Sequence, residues 1–341
     1  FYNPLIGPQR RLENGYTVGR DAGRLVAATH SAVLEGSIVG ETYQGPQQTQ
    51  AAQADLDGYN QSQNAVARRG ELVVGQYRPI FDAASGVIRR GLVPVVDSVE
   101  LGEPVPGIAD ALGLSDAVTA ERQGMVLLDA DSLTAASLGA VRIAAKKNIA
   151  VASLLQVSDG GEIVLYAPSV DVAANLTAHG GAIRIGNVLK QVRDAATPLD
   201  IGIEVPQGAQ AGVWVREGVT LDATGVLGDL RSGSGAPADL AHIDGGLVSI
   251  RSTESVTLEK GSLIDVSSGG VVQPDGRIQG GKGGSVQLGS GLASTGAGNR
   301  AAVLTLDGDI RGYGVQGGGT LQIESASAIA IGGKVVPIDG V

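Results

Sequence analysis

Three histidines, His30, His179 and His242, and a scatter of aspartates are the side chains of this 341-residue chain best suited to chemistry. The histidines stand far apart and lack the short spacing of paired metal ligands, so they read as surface or turn residues. Asp129 and Asp131 share one face of LLDADSL, and Asp265 lies in LIDVSS. A polysaccharide lyase or hydrolase would need such carboxylates clustered, with Lys or Arg beside them and aromatic platforms along a sugar cleft. Trp214 is the single tryptophan. Its parity with Val213 and Val215 points it outward, where it can stack on a sugar or pack against a neighbouring loop. The calcium pattern G-G-x-G-x-D is not met at GGKGGSV, and Asp129, Asp131, Asp307 and Asp309 read as corners whose side chains satisfy turn backbone. GRIQGGK (Gly276 to Lys282) resembles a phosphate-binding loop, but Gly283 replaces the required Ser or Thr. The following SVQL reads as strand rather than as a phosphate-holding helix. There is no G-x-S-x-G and no cysteine, which removes the common hydrolase nucleophiles, disulfides and thiolate metal sites. The chain is expected not to be an enzyme and to hold no metal or cofactor.

The elements that carry these residues are short and repetitive. In GGEIVLYAPSVDVAANLTAHGGAIRIG (Gly160 to Gly186), Ile163, Leu165 and Ala167 share a face. Val170 and Val172, Leu176 and Ala178, and Ile183 and Ile185 follow in the same way. Gly245-Gly246, Gly283-Gly284 and Gly317 to Gly319 open similar phrases, and GVWVREGVTLDATG, AAVLTLDGDIRGYG and DAGRLVAATHSAVLEGSIVG fit the template. One such unit cannot bury its apolar face alone, so units must stack. In-register stacking of short strands predicts an all-β chain forming a parallel β-helix, a solenoid with aliphatic ladders inside. The glycines then serve corners that need positive φ or close backbone approach. An antiparallel sandwich is the alternative. The scarcity of Asn-Gly hairpin signals and of aromatic cross-strand pairs counts against it.

Composition narrows the partners. The chain has 53 glycines, 3% aromatic residues and a formal net charge of -10, which argues against nucleic acid and anionic lipid. No stretch approaches the ~20 apolar residues of a membrane helix, so membrane insertion is not expected.

Two regions interrupt the repeat. Residues 41–69, rich in Gln, Asn and Ala, predict a polar loop or arm outside the coil. Residues 78–123 carry Pro79, Pro94, Pro104 and Pro106 and a helical phrase, GIADALGLSDAVTAERQG, and predict a second insertion with some helix. Regular coils are expected over 124–341, with polar bulges near Gln191–Pro198 and Leu230–Ala241. At a little over 20 residues per coil the repeat portion predicts roughly 11 or 12 coils and a rod of ~50–60 Å. Insertions in a solenoid lie outside the coil, so they are the expected contact surfaces. Tyr43, Tyr59, Tyr77 and Phe81 in and beside them, with Trp214, form the candidate binding surface.

The coils LDADSLTAASLGAVRIAAKKNIAVASLLQVSDGGEIVLYAPSVDVAANLTAHGGAIRI, with GRDAGRLVAATHSAVLEGSIVG and LIDVSSGGVVQPDG, resemble the repeat region of filamentous-haemagglutinin-like large exoproteins. These are the secreted partners of bacterial two-partner secretion systems. The family's secretion domain carries Asn-Pro-Asn motifs. Only Asn3-Pro4 is present, so the expectation is an interior segment of the rod without its secretion signal. The resemblance implies a right-handed β-helix threaded through an outer-membrane barrel transporter and displayed, secreted, at the bacterial cell surface. The implied function is adhesion to host cells, neighbouring bacteria or matrix polysaccharide, through a polysaccharide or protein receptor. It carries over no catalytic residues. The competing implication is a passive stalk, including that of a contact-dependent toxin-delivery exoprotein.

Overall fold

The computed structural model describes residues 15–53, 59–82, 87–103, 107–108, 112–113, 115–190, 200–203, 205, 210–231, 236–292, 298–327, 329–331 and 334–336. The start Phe1 to Pro4, the bulge at Gln191–Pro198 and part of the phrase after Gly107 lie outside them.

The fold is mostly β. Its largest element is a fifteen-stranded sheet made of two parallel ladders that share one long strand, Ala140–Val151. In the first ladder, Arg24–Ala27, Glu71–Val74, Ala140–Val151, Glu162–Tyr166, Ala182–Gly186, Leu247–Arg251, Ser285–Ser290 and Thr320–Ser325 lie side by side. The second ladder continues from the far half of Ala140–Val151 through Ser169–Val172, Gly212–Val215, Val256–Leu258 and Leu304–Leu306. A third, five-stranded ladder joins Leu155–Gln156, Leu176–Thr177, Thr220–Asp222, Leu263–Asp265 and Asp309–Arg311.

Period-two alternation sets what each ladder buries. Val141, Ile163, Ile183, Val248 and Val286 stand in register in one buried column of the first ladder, and Ile143, Leu165, Ile185, Ile250 and Leu288 in the next. Val170, Val213 and Val256 repeat this in the second ladder, and Leu176, Leu221 and Ile264 in the third. Burying each such side chain is worth about 1.5–3 kcal/mol, so the interior is a stack of aliphatic columns rather than a centre of large rings. Exposure rises at the ends of the first column, to 44% at Leu25 and 51% at Leu321.

In the pairs Gly160-Gly161 and Gly180-Gly181 the two glycines have different tasks. Gly160 has φ +71°, a region open to glycine without strain. Gly161 lies directly before the strand Glu162–Tyr166, and a Cβ there would stand 2.7 Å from the carbonyl oxygen of Gly139, one rung back. Gly181, Gly246, Gly284 and Gly319 repeat this contact, each against the carbonyl oxygen of the glycine before it in the column. Close backbone approach along the stack therefore accounts for the second glycine of each pair.

Three expectations are corrected by this arrangement. The coil is not uniform. Arg142 and Glu162 are 20 residues apart and Glu162 and Arg184 22, but Ser285 and Thr320 are 35 apart, Ser249 and Gln287 38, and Arg24 and Glu71 47. Loops of unequal length leave at the corners, so the first ladder has eight strands among the described residues instead of 11 or 12 coils. The region 78–123 is not wholly outside the wall. Gln76–Asp82 and Val87–Val93 form an antiparallel hairpin. Val96–Gly102, in contrast, enters the second ladder, because Val96, Val99 and Leu101 supply a buried face. Met125–Asp129 then doubles back between Ala32–Val33 and Val96–Gly102. In this region the described residues hold only a 3-10 turn at Ala120–Arg122. The α-helix is instead α1, Ala130–Ala135, inside the stretch expected to be coil. Asp129 caps it, accepting from the Asp131 and Ser132 amides at 3.0 and 3.1 Å.

The 41–69 segment folds back rather than extending away. Gln48, 1% exposed, accepts from the Gly19 and Gly45 amides at 2.8 and 2.7 Å and donates to the Gly19 and Ala65 carbonyls at 3.2 and 2.6 Å. Gln44 pairs the same way with both backbone groups of Ala67, and Gln61 with both of Gln53. Side-chain amides thus substitute for ladder partners in a segment that has no period-two pattern.

Candidate functional site

Alternation that buries Val213 and Val215 leaves Trp214 on the outward side of the second ladder. Ala150, Asp171, Trp214, Thr257 and Thr305 stand in register there, about 4.8 Å apart from rung to rung. The indole reaches over Gly212, whose added Cβ would lie 3.3 Å from its Cη2. The Arg216 guanidinium stands 6.0 Å from the ring centroid. Arg216 is itself clamped: Nε and Nη2 donate to the two oxygens of Asp171 at 2.8 Å each, and Nη1 donates to Glu259 Oε1 at 2.8 Å. Glu259 Oε2 also accepts the Glu217 amide at 3.0 Å. The hydrogen bond from Arg216 holds the Glu259 carboxyl below its ordinary pKa, and those to Asp171 and Glu259 hold the guanidinium above its own. The result is a flat face with one ring, oriented carboxylates and short hydroxyl side chains.

A second polar series lies outside the first ladder. Arg24, Glu71, Arg142, Glu162 and Arg184 alternate in sign from rung to rung. Arg24 meets Glu71 at 2.5 Å, Glu71 pairs with Arg142, and Glu162 holds Arg142 at 2.7 Å and Arg184 at 2.8 Å. Burial opposes ionisation of Glu162, but Arg142 and Arg184 outweigh it and keep its pKa below the ordinary value. Tyr77 closes the series, donating to Glu71 and accepting from Arg142 at 3.2 Å each, with Arg24 over its ring at 5.2 Å. Burial raises its phenol pKa.

The third cluster occupies the corner that follows the third ladder. His179 Nδ1 lies 3.1 Å from the Thr224 hydroxyl and 3.6 Å from Asp222 Oδ1. The Asp222 carboxylate beside it raises the His179 pKa. Burial works against the Asp222 charge, yet His179 and Thr224 draw its pKa down to about 2. His242 packs on the same corner, over Gly160 and Gly180, and burial lowers its pKa while Asp159 works against that shift. Two histidines that are distant in sequence therefore share a corner. The signal for this was present, since each stands shortly before a Gly-Gly pair. No group of three metal-ligating side chains is found among the described residues.

Of the sequence-derived surface residues, four have described side chains. Tyr43 and Tyr59 lie in the 41–69 segment, Tyr59 at 90% exposure. Tyr77 is engaged by the first ladder's charge series, and Trp214 faces out from the second ladder. Phe81 belongs to the hairpin strand Gln76–Asp82, and its side chain lies outside the described residues. Asp265 accepts the Ser267 amide at 2.9 Å, a corner role like that of Asp129. GRIQGGK forms the turn and return strand of the hairpin Gly270–Val272 with Ile278–Gly280. Its Lys282 amide is occupied by Asp244 at 2.7 Å, and the strand Ser285–Ser290 follows. No family model, no curated protein and no solved structure matches the chain.

Proposed function

We propose that the chain is a segment of a right-handed parallel β-helical rod, exported through an outer-membrane barrel transporter and displayed at a bacterial surface for adhesion. The observation that carries this reading is the combination of a parallel stack with side structures leaving it. Successive strands pair in register over eight positions of the first ladder, while the hairpin Gln76–Asp82 with Val87–Val93 pairs, among the described residues, only with itself. Such a stack spaces lateral features at fixed intervals, which suits attachment to host cells, neighbouring bacteria or matrix polysaccharide. The 41–69 segment and the hairpin are the proposed contact surfaces, and no catalytic role is assigned to any residue.

A passive stalk is the second reading, and the Gln48 bonds favour it. A segment tied to Gly19, Gly45 and Ala65 can shield the flank of the stack instead of reaching outward. The test compares the chain with a version in which both side structures are replaced by short turns. The replacement must spare Val96–Gly102, which belongs to the wall. Binding to whole cells and to purified exopolysaccharides is measured at several salt concentrations. Saturable binding lost with the side structures supports adhesion through them. Equal lack of binding by two folded proteins overturns adhesion by this segment and leaves the stalk.

A further inference from the structure

We infer that the outward face of the second ladder around Trp214 binds an uncharged saccharide chain. This rests on the adhesive reading and gives it a specific ligand class and a place on the wall itself, away from the insertions.

The first argument is where the indole stands. The interior is built of aliphatic columns, and the buried ring of Tyr166 lies on the outer side of the first ladder, covered in a separate cluster with Val73, Leu92, Ala144 and Val164. The chain's one tryptophan also lies on the outer side of a strand whose inward residues, Val213 and Val215, already complete the core. The ring is part-buried there, with Arg216 6.0 Å from its centroid and the Gly212 backbone under its edge, and its neighbours along the stack are small. Asp171 and Thr257, on the rungs before and after, have short side chains, and Gly212 on its own strand has none. The part of the indole that remains exposed offers an apolar surface to the C–H side of a pyranose.

The second argument is the hydrogen-bonding rim. Arg216 fixes Asp171 and Glu259 with three charge-assisted bonds at 2.8 Å, so these acceptors are held in place before a ligand arrives. Sugar hydroxyls are donors that suit carboxylates, and Thr257 and Thr305 continue the rim along the stack. Charge selects within the class. Two carboxylates face one guanidinium here, and the chain has net charge -10, so sulfated and uronate chains are repelled while neutral ones are not.

A purely structural role is the competing account, in which Trp214 merely covers the Gly212 backbone. Trp214→Leu separates the two, because leucine covers a glycine but cannot stack on a sugar. As the only tryptophan, Trp214 is also its own reporter. The purified chain is titrated with cellohexaose, mannohexaose and chitohexaose, with heparin and polygalacturonate as charged controls, following indole emission and heat of binding. The expected result is a saturable emission change with at least one neutral hexasaccharide, insensitive to salt, and no response to either polyanion. Trp214→Leu then abolishes the heat, and Asp171→Asn weakens binding by about tenfold or more. The proposal is overturned by silence with all three neutral probes at millimolar concentration, by binding of polyanions alone, or by Trp214→Leu binding as the wild type does. Should Trp214→Leu melt early, the wild-type titration and Asp171→Asn still decide. The two readings fail separately. Cell attachment kept by Trp214→Leu but lost with the insertions, alongside silent hexasaccharides, sinks the saccharide site and spares adhesion. Hexasaccharide binding without any cell attachment does the reverse.

Discussion

A column of glycines runs beside the first ladder because a side chain there would strike the rung before it. Gly181→Ala places a methyl group against the Gly161 carbonyl, with neighbouring backbone also within 3.0 Å. We expect a loss of about 1–3 kcal/mol, read from urea or thermal melts, as overpacking usually costs. Gly23 also precedes a ladder strand, but nothing lies within 4 Å of its added Cβ. Gly23→Ala should change stability by no more than about 0.5 kcal/mol; an equal loss at both positions would refute the steric account. The histidine corner gives a pH signature. His179 has its pKa raised above 6.5 in the folded chain, so its pairing with Asp222 contributes fully below 6.5 and is lost as pH rises through the folded value. Asp222, drawn to about 2, contributes above 3.8 and loses that contribution as pH falls from 3.8 towards 2. His242 has the opposite sign. Its lowered pKa favours the neutral ring, a contribution present above 6.5 and lost as pH falls through the folded value. His179→Asn, which removes the charge but keeps a hydrogen-bonding group near Thr224, should flatten the alkaline fall in the urea midpoint and leave the acid limb intact. An unchanged alkaline limb would rule the pair out as its source.

Among the elements, the 41–69 segment shows how a polar stretch is held without a ladder. Gln48 uses both ends of its amide on backbone groups of Gly19, Gly45 and Ala65. Gln48→Ala leaves these buried groups without their partner, at about 1–3 kcal/mol for each group that water cannot reach. The expected outcome is local opening, with faster amide exchange and proteolysis within 41–69, while protection at Ile163, Leu165 and Ile183 is kept. Loss of protection in those core strands would show that the segment is part of the stack's own cooperative unit. Such an element is hard to read from sequence. Glutamine pairing has no period, and composition alone suggested an arm extending away. The strand Val96–Gly102 was equally hidden, because its alternation lay between prolines and a helical phrase.

For the whole molecule, stability is expected to accumulate rung by rung, since each rung contacts mainly its neighbours. A chain ended after Ser290 loses the strands Leu304–Leu306, Asp309–Arg311 and Thr320–Ser325 and the hairpin Ile329–Ile331 with Lys334–Val336, but keeps every pairing among the strands that precede them. It should remain folded and β-rich by circular dichroism, with a lower melting temperature. Complete unfolding on this truncation would indicate one indivisible core instead. Local pattern determined much of this architecture. Which residues face inward, the outward position of Trp214 and the need to stack all follow from period-two alternation, a property of a few adjacent residues. Tertiary structure alone decided which strands are neighbours. The interval between stacked residues varies from 20 to 71 even among the pairs that bond directly. Spacing therefore does not encode that Met125–Asp129 lies beside Ala32–Val33, that His179 meets Asp222, or that Arg216 clamps Asp171 to Glu259. Those contacts arise across rungs, where the length of each intervening loop, rather than the pattern of any one strand, sets the partner.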